Sequence, residues 1–101
     1  MKTRVIFKIA PEGDVVALFP ATAGSENWHT ECACYMSSVG HGVASLDALK
    51  FPAAKPEQFH KIFKELTGMG YDLEIAKQAT FADKEERRKD VHGTMGFGLT
   101  N

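Results

Sequence analysis

A chain of 101 residues, 44% apolar and 25% charged with a formal net charge of −1, is sized and composed as one globular domain. Near-neutral charge removes the global pull toward nucleic acid or anionic lipid that a strong basic excess supplies. No apolar run nears the roughly 20 residues that cross a bilayer. Lys8 interrupts the short apolar stretch near the N-terminus and no small-residue cleavage site follows, so a cytoplasmic protein without a signal peptide is expected.

Residues 3–10, TRVIFKIA, are β-branched and aromatic enough for a strand, with Val5, Phe7 and Ile9 on one face and Arg4, Ile6 and Lys8 on the other. Pro11-Glu12-Gly13-Asp14 is turn chemistry, and VVALFP over 15–20 returns as the second strand of a hairpin. Pro20 cannot donate to a ladder, which makes Val15–Pro20 a candidate sheet edge. After a polar loop over 21–27, WHTECACYMSS predicts a third strand over 28–38. Its Ala33, Tyr35 and Ser37 face one way and Cys32, Cys34 and Met36 the other, with Gly40-His41-Gly42 as its end. Residues 43–54 leave three options open: a short fourth strand, a helical turn around Leu46–Leu49, or a loop capped by Pro52.

The segment 55–77 is the most informative. Phe59, Ile62, Phe63 and Leu66 recur at i, i+3, i+4 and i+7, one apolar helical stripe. Pro56 suits the first turn, Glu57 suits the positive end of the helix dipole, and Gly68 and Gly70 supply the stop. Tyr71, Leu73 and Ile75 then alternate with Asp72, Glu74 and Ala76 in a strand over 71–79. Ile62 and Phe63 are expected to be buried against Val5, Phe7, Leu73 and Ile75. Beyond Thr80, ADKEERRKD carries four acidic and four basic residues and reads as a solvated helix. The Gly-rich end is expected to be mobile unless Met95, Phe97 and Leu99 dock on the body.

These elements predict an α+β two-layer sandwich: a mainly antiparallel sheet of about four strands in the order β-β-β-α-β, with one amphipathic helix on one face. The other face, bearing Arg4 and Lys8, is expected to be half solvated or to meet a partner. Residues 1–80 form the expected compact domain and 81–101 a charged, then Gly-rich, extension.

Few residues suggest chemistry. His29, Cys32, Cys34 and His41 have zinc-ligand side chains in the spacing H-x2-C-x-C-x6-H. On a strand, C-x-C places both sulfurs on one face about 6.5–7 Å apart along the backbone, a poorer match than a Cys-x2-Cys knuckle and long for a disulfide. Free, packed thiols are expected. A nucleophile reading pairs Cys34, Ser37 or Ser38 with His41, oriented by Asp47. Gly40-His41-Gly42 lacks the Lys-Ser/Thr of a phosphate loop and reads as a turn. His60 is expected on the helix flank in solvent. Lys50, Lys55, Lys61 and Lys64 make one candidate basic edge and Arg87, Arg88 and Lys89 a second. Phe7, Phe19 and Tyr35 beside them would suit single-stranded nucleic acid but read as core, and neighbouring acidic residues cancel much of the field.

Four stretches, KTRVIF, VALFP, YMSSVGHG and ELTGMGYDLEI, resemble a group of small bacterial and phage- or plasmid-borne proteins of about this length. The resemblance spans residues 2–77, includes no catalytic motif and carries over no functional residue. It implies a compact cytosolic accessory protein of a mobile genetic element. The expected function is therefore non-enzymatic: binding of a protein partner, such as a host factor, through a sheet edge or open face. No catalytic residue, cofactor or metal is expected, and a homodimer fits the same surfaces. The alternatives are a nucleic-acid-binding accessory protein and a metal- or thiol-dependent protein built on the Cys/His cluster.

Overall fold

Alternation of apolar residues organises the first hairpin, β1 (Thr3–Ile9) and β2 (Val15–Phe19), which pair antiparallel with Ile6 opposite Leu18 and Lys8 opposite Val16. Gly13 donates its N–H to the Ala10 carbonyl at 2.8 Å to close the turn. In this computed structural model residues 2–93 are described. Met95, Phe97 and Leu99, and the expectation attached to them, lie outside those residues.

β3 (Glu31–Met36) pairs antiparallel with β2, and β4 (Gly40–Ser45) pairs antiparallel with β3. Gly40-His41-Gly42 thus opens a fourth strand rather than ending the third. Gly40 has φ +88°, a left-handed conformation suited to the tight connection over 37–39. A 3-10 turn (Leu46–Lys50) follows, capped by the Ser45 hydroxyl, which accepts from the Asp47 N–H at 3.1 Å. Residues 43–54 therefore contain both the strand and the helical turn, in succession.

Helix α1 (Pro56–Gly68) starts on its proline, and Gln58 Oε1 accepts the Lys55 N–H at 2.7 Å. It ends in a Schellman motif: Tyr71 donates its N–H to the Leu66 carbonyl and Gly70 to that of Thr67, with Gly70 at φ +105°. β5 (Leu73–Ile75) then pairs parallel with β1, so the sheet is mixed and five-stranded, in the order β4-β3-β2-β1-β5. The strand expected over 71–79 is cut to three residues. β2 lies inside the sheet, not at its edge, because β3 adds on the side of β2 away from β1. A hairpin sequence does not determine which side accepts the next strand.

A core lies on each face. Val5, Phe7, Ala17, Phe19 and Tyr35 pack under Ile62 and Leu66 of α1. Phe63 only partly buries, and Ile75, expected in this core, is 50% exposed. On the other face Ile6, Val16, Leu18, Cys32 and Cys34 pack with Ala48, flanked by Leu46, Leu49 and Phe51 of the 3-10 segment. That face is not left open. It is also met by a second helix, α2 (Phe81–Arg88), opened by a capping box: Thr80 Oγ1 accepts the Asp83 N–H at 3.2 Å and Asp83 Oδ2 accepts the Thr80 N–H at 2.9 Å.

The buried residues of α2 are charged. Asp83 is 2% exposed and accepts a fork from Arg4, Nε at 2.7 Å and Nη2 at 3.1 Å. Arg4 also reaches Glu74 and the Gln78 carbonyl. Arg87, 3% exposed, donates to the backbone carbonyls of Pro20 and Trp28. Asp90 accepts the Ala23 N–H at 2.9 Å, and Trp28 Nε1 donates to His92 Nε2 at 2.9 Å. Residues 81–92 thereby clamp the loop over 20–30.

Candidate functional site

A cluster of polar and aromatic side chains lies on the α1 face beside β4. The Schellman turn throws Tyr71 back over the sheet, where its ring stacks on Phe19 at 5.3 Å and its hydroxyl lies 2.8 Å from His41 Nε2. The His41 tautomer decides which of the two donates. Tyr35 faces His41 across the β3–β4 pair, with ring centroids 4.9 Å apart. Tyr35 and Ser37 both donate their hydroxyls to one oxygen of Glu65 on α1, at 3.0 and 2.8 Å. The Ser37 hydroxyl, Tyr35 and nearby Lys61 hold the Glu65 carboxyl below the usual range. Removal from water and the Glu65 carboxylate push Tyr35 upward. The cluster is a set of satisfied hydrogen bonds tying α1 to β3.

Strand alternation separates the four metal candidates. Tyr35 pairs with His41 and shares its face, so Cys34 and Cys32 point to the opposite one. Both thiols are free and buried there. His29 is exposed, edge-on to Trp28 at 5.5 Å. Among the described residues no three His, Cys, Asp or Glu side chains converge. Burial pushes the Cys32 thiol up to about 11, with the Arg87 cation opposing, and pushes Cys34 up as well. Neither is primed as a nucleophile.

The nucleophile reading is also taken apart. The Ser37 hydroxyl donates its hydrogen bond to Glu65, while His41 bonds Tyr71 instead. Asp47 lies in the 3-10 turn, 3.6 Å from Lys50. Ser38 is exposed in the β3–β4 turn, and His60 is exposed on α1.

Among the described residues Lys55 and Lys64 have no carboxylate within 4.0 Å, while the other members of the two basic edges pair or turn inward. Lys61 meets Glu65, Arg88 meets Glu85, Lys89 meets Glu86, and Arg87 turns inward. Phe7, Phe19 and Tyr35 are core. Two residues central to the cluster, Glu65 and Tyr71, were not singled out from sequence. The usable signals are the G-x-G-Y at the end of the helix, which places Tyr71 at the Schellman position, and Glu65 beside the apolar stripe.

The sheet edges beside this cluster differ. Among the described residues β4 pairs only with β3. Leu46 donates its N–H to the Thr30 carbonyl, so by alternation Gly40, Gly42 and Ala44 turn their backbone toward β3. His41, Val43 and Ser45 turn theirs outward. This edge, GHGVAS, has no Lys, Asp, Glu or Pro; Val43 within it is 46% exposed and Val39 just before it 75%. The opposite edge, β5, is three residues long and carries Glu74 between Asp72 and Lys77. Short length and charge blunt it.

Comparison with family models, curated proteins and solved structures finds no match.

Proposed function

We infer that the chain is a non-enzymatic interaction module, an accessory protein of the mobile-element kind. It binds a protein partner by pairing an extended segment with the outer edge of β4. The observation that carries this reading is the uncharged, six-residue β4 edge, with outward backbone groups at His41, Val43 and Ser45. Such an edge is a template for strand addition, in which main-chain hydrogen bonds give affinity and alternate side chains give selectivity. His41 and Val43 would supply those contacts, with His41 already oriented by Tyr71. Displaced thiols, a hydroxyl committed to Glu65 and a histidine committed to Tyr71 support a binding role over a catalytic one.

The test is Val43→Pro. The Val43 N–H faces away from β3, so proline removes an outward donor and spares the internal ladder. Wild type and variant should melt alike, while host proteins retained by the immobilised wild-type chain disappear from the variant. Concentration-dependent dimerisation lost in Val43→Pro would make the partner a second copy. Identical retention by both proteins would overturn the reading. So would a turnover activity that His41→Ala abolishes while fold and partner binding persist.

A further inference from the structure

β1 outruns its neighbour. β5 pairs with Thr3, Arg4 and Val5 and then stops, whereas β1 continues to Ile9. The chain returns to this side of β1 only at its far end, where Ile9 donates to the Pro52 carbonyl at 2.8 Å and Ala54 to the Phe7 carbonyl at 3.0 Å. Between Ala76 and Ala54 the sheet edge is open, and the opening leads into a cavity of about 470 Å³. That volume is in the range of small-molecule pockets, roughly 300–1,000 Å³.

The walls are almost wholly apolar. Phe7 and Phe59 stack at 4.3 Å with rings 12° from parallel, and Ile75 and Ala76 line the side facing β5. Phe59 packs against the core under α1 and Ala76 against the core on the other face. The pocket is where both cores reach the surface together. It also accounts for Ile75, whose half-exposed side chain has no place in either core.

Charge decides what fits. The charged residues lining the pocket are Lys8 and Lys77, and no acidic residue lines it. Among the described residues, Lys2, Lys50, Lys61 and Lys89 each have a carboxylate within 4.0 Å; Lys8 and Lys77, like Lys55, Lys64 and Lys84 elsewhere on the surface, have none. Lysine stems lie along apolar surface while their ammonium groups stay in water. The result is an apolar chamber with two lysines in its lining that have no carboxylate partner among the described residues.

We propose that this gap beside β1 is a binding pocket for a small amphipathic carboxylate, with its alkyl or aryl body against Phe7, Phe59 and Ile75 and its carboxylate between Lys8 and Lys77. The body supplies affinity by leaving water, and the lysines supply selection for an anion. The site is separate from the β4 edge and does not depend on the binding role assigned there.

The test titrates decanoate, below its micelle concentration, into the full chain at pH 7 and follows amide and methyl NMR shifts. Saturable shifts confined to Phe7, Phe59, Ile75 and their neighbours are expected, with decanol binding several-fold more weakly. Lys77→Met, on an exposed side chain, should weaken decanoate about two- to five-fold and leave decanol unchanged. Lys8→Met should do the same. Ile75→Trp, which fills the chamber, should abolish binding of both probes. Absence of saturable shifts at these residues would overturn the proposal. Equal affinity for decanoate and decanol, unaffected by either lysine variant, would overturn the carboxylate assignment.

Discussion

The two helices of this protein are held to opposite faces of one sheet by different forces. α1 buries Ile62 and Leu66 in an apolar core and stacks Phe59 on Phe7. α2 buries Asp83 and Arg87 and leaves its one aromatic residue, Phe81, 74% exposed. Apolar burial is non-directional and tolerates sliding. A carboxylate gripped by an arginine fork and a buried arginine donating to two carbonyls tolerate none, because each lost bond strands a charge or a polar group. The first helix therefore follows from composition and period, and the second from specific partners. Breaking each by its own means tests the distinction.

The largest effect is expected from Leu66→Ala. Leu66 is fully buried on the sheet-facing side of α1, and truncating such a leucine costs about 2–5 kcal/mol, a large share of a small domain's stability. Phe63, which the helical stripe marks for burial, is only partly covered, so Phe63→Ala should cost less than Leu66→Ala. Chemical denaturation of the two variants side by side measures the order. The reverse order would mean that α1 is rotated from the position described.

Next comes Asp83→Ala. It removes the acceptor of the Arg4 fork and the side-chain half of the cap with Thr80 in one step, while the backbone N–H of residue 83 can still reach the Thr80 hydroxyl. Arg4 keeps Glu74 and partial access to water, so the loss should be about 2–3 kcal/mol rather than the full cost of a stranded buried charge. Amide exchange should quicken over 81–92 and over the clamped loop 20–30 while α1 stays protected. Uniform acceleration across both helices would show one cooperative unit instead of two differently held ones.

This difference also explains what could be read from the sequence. The stripe from Phe59 to Leu66 announces a buried helix face because periodicity reports apolar burial. The same reasoning misreads 81–90, where the buried positions are an aspartate and an arginine inside a charge-balanced run. The local signal there was T-x-x-D at Thr80–Asp83, a capping box, which marks a helix start without saying what the helix rests on. Two glycines that depress strand propensity obscure β4, and β2 reads from sequence as a candidate edge because pairing partners are non-local. The Cys/His cluster dissolved for a related reason. Proximity in sequence is only proximity in space when the residues share a face, and the register of β3 with β4 pairs His41 with Tyr35, on the face away from Cys32 and Cys34.

Cys32 offers a pH test of the α2 face, close to Arg87. Its thiol is pushed up to about 11 from an ordinary value of 9.0, chiefly by burial. A raised thiol favours the folded state fully below the unfolded value, and that contribution is lost as pH rises toward 11. The loss should reach about 2 kcal/mol near pH 11. Tyr35 shifts in the same direction, so the useful quantity is the stability difference between wild type and Cys32→Ala at each pH. The difference should be flat from pH 7 to 8 and narrow between 9 and 11. A constant difference over that range would mean that the thiol ionises freely in the folded chain and that α2 does not seal it.

The smallest effect is the sharpest probe. Phe81 opens α2 and is 74% exposed, although an aromatic at that position would ordinarily be assigned as the helix's anchor. If polar partners hold α2, Phe81→Ser should change stability by less than about 0.5 kcal/mol, as exposed substitutions usually do. Serine keeps the Thr80–Asp83 cap intact, because the residues between the two partners of a capping box contribute no bond to it. The control is Phe59→Ser on α1, where stacking on Phe7 and contact with the core make the same replacement costly. Denaturation midpoints for the pair measure the contrast. A loss above 1 kcal/mol at Phe81 would mean that α2 rests on apolar contact after all, and the two helices would then differ in degree rather than in kind.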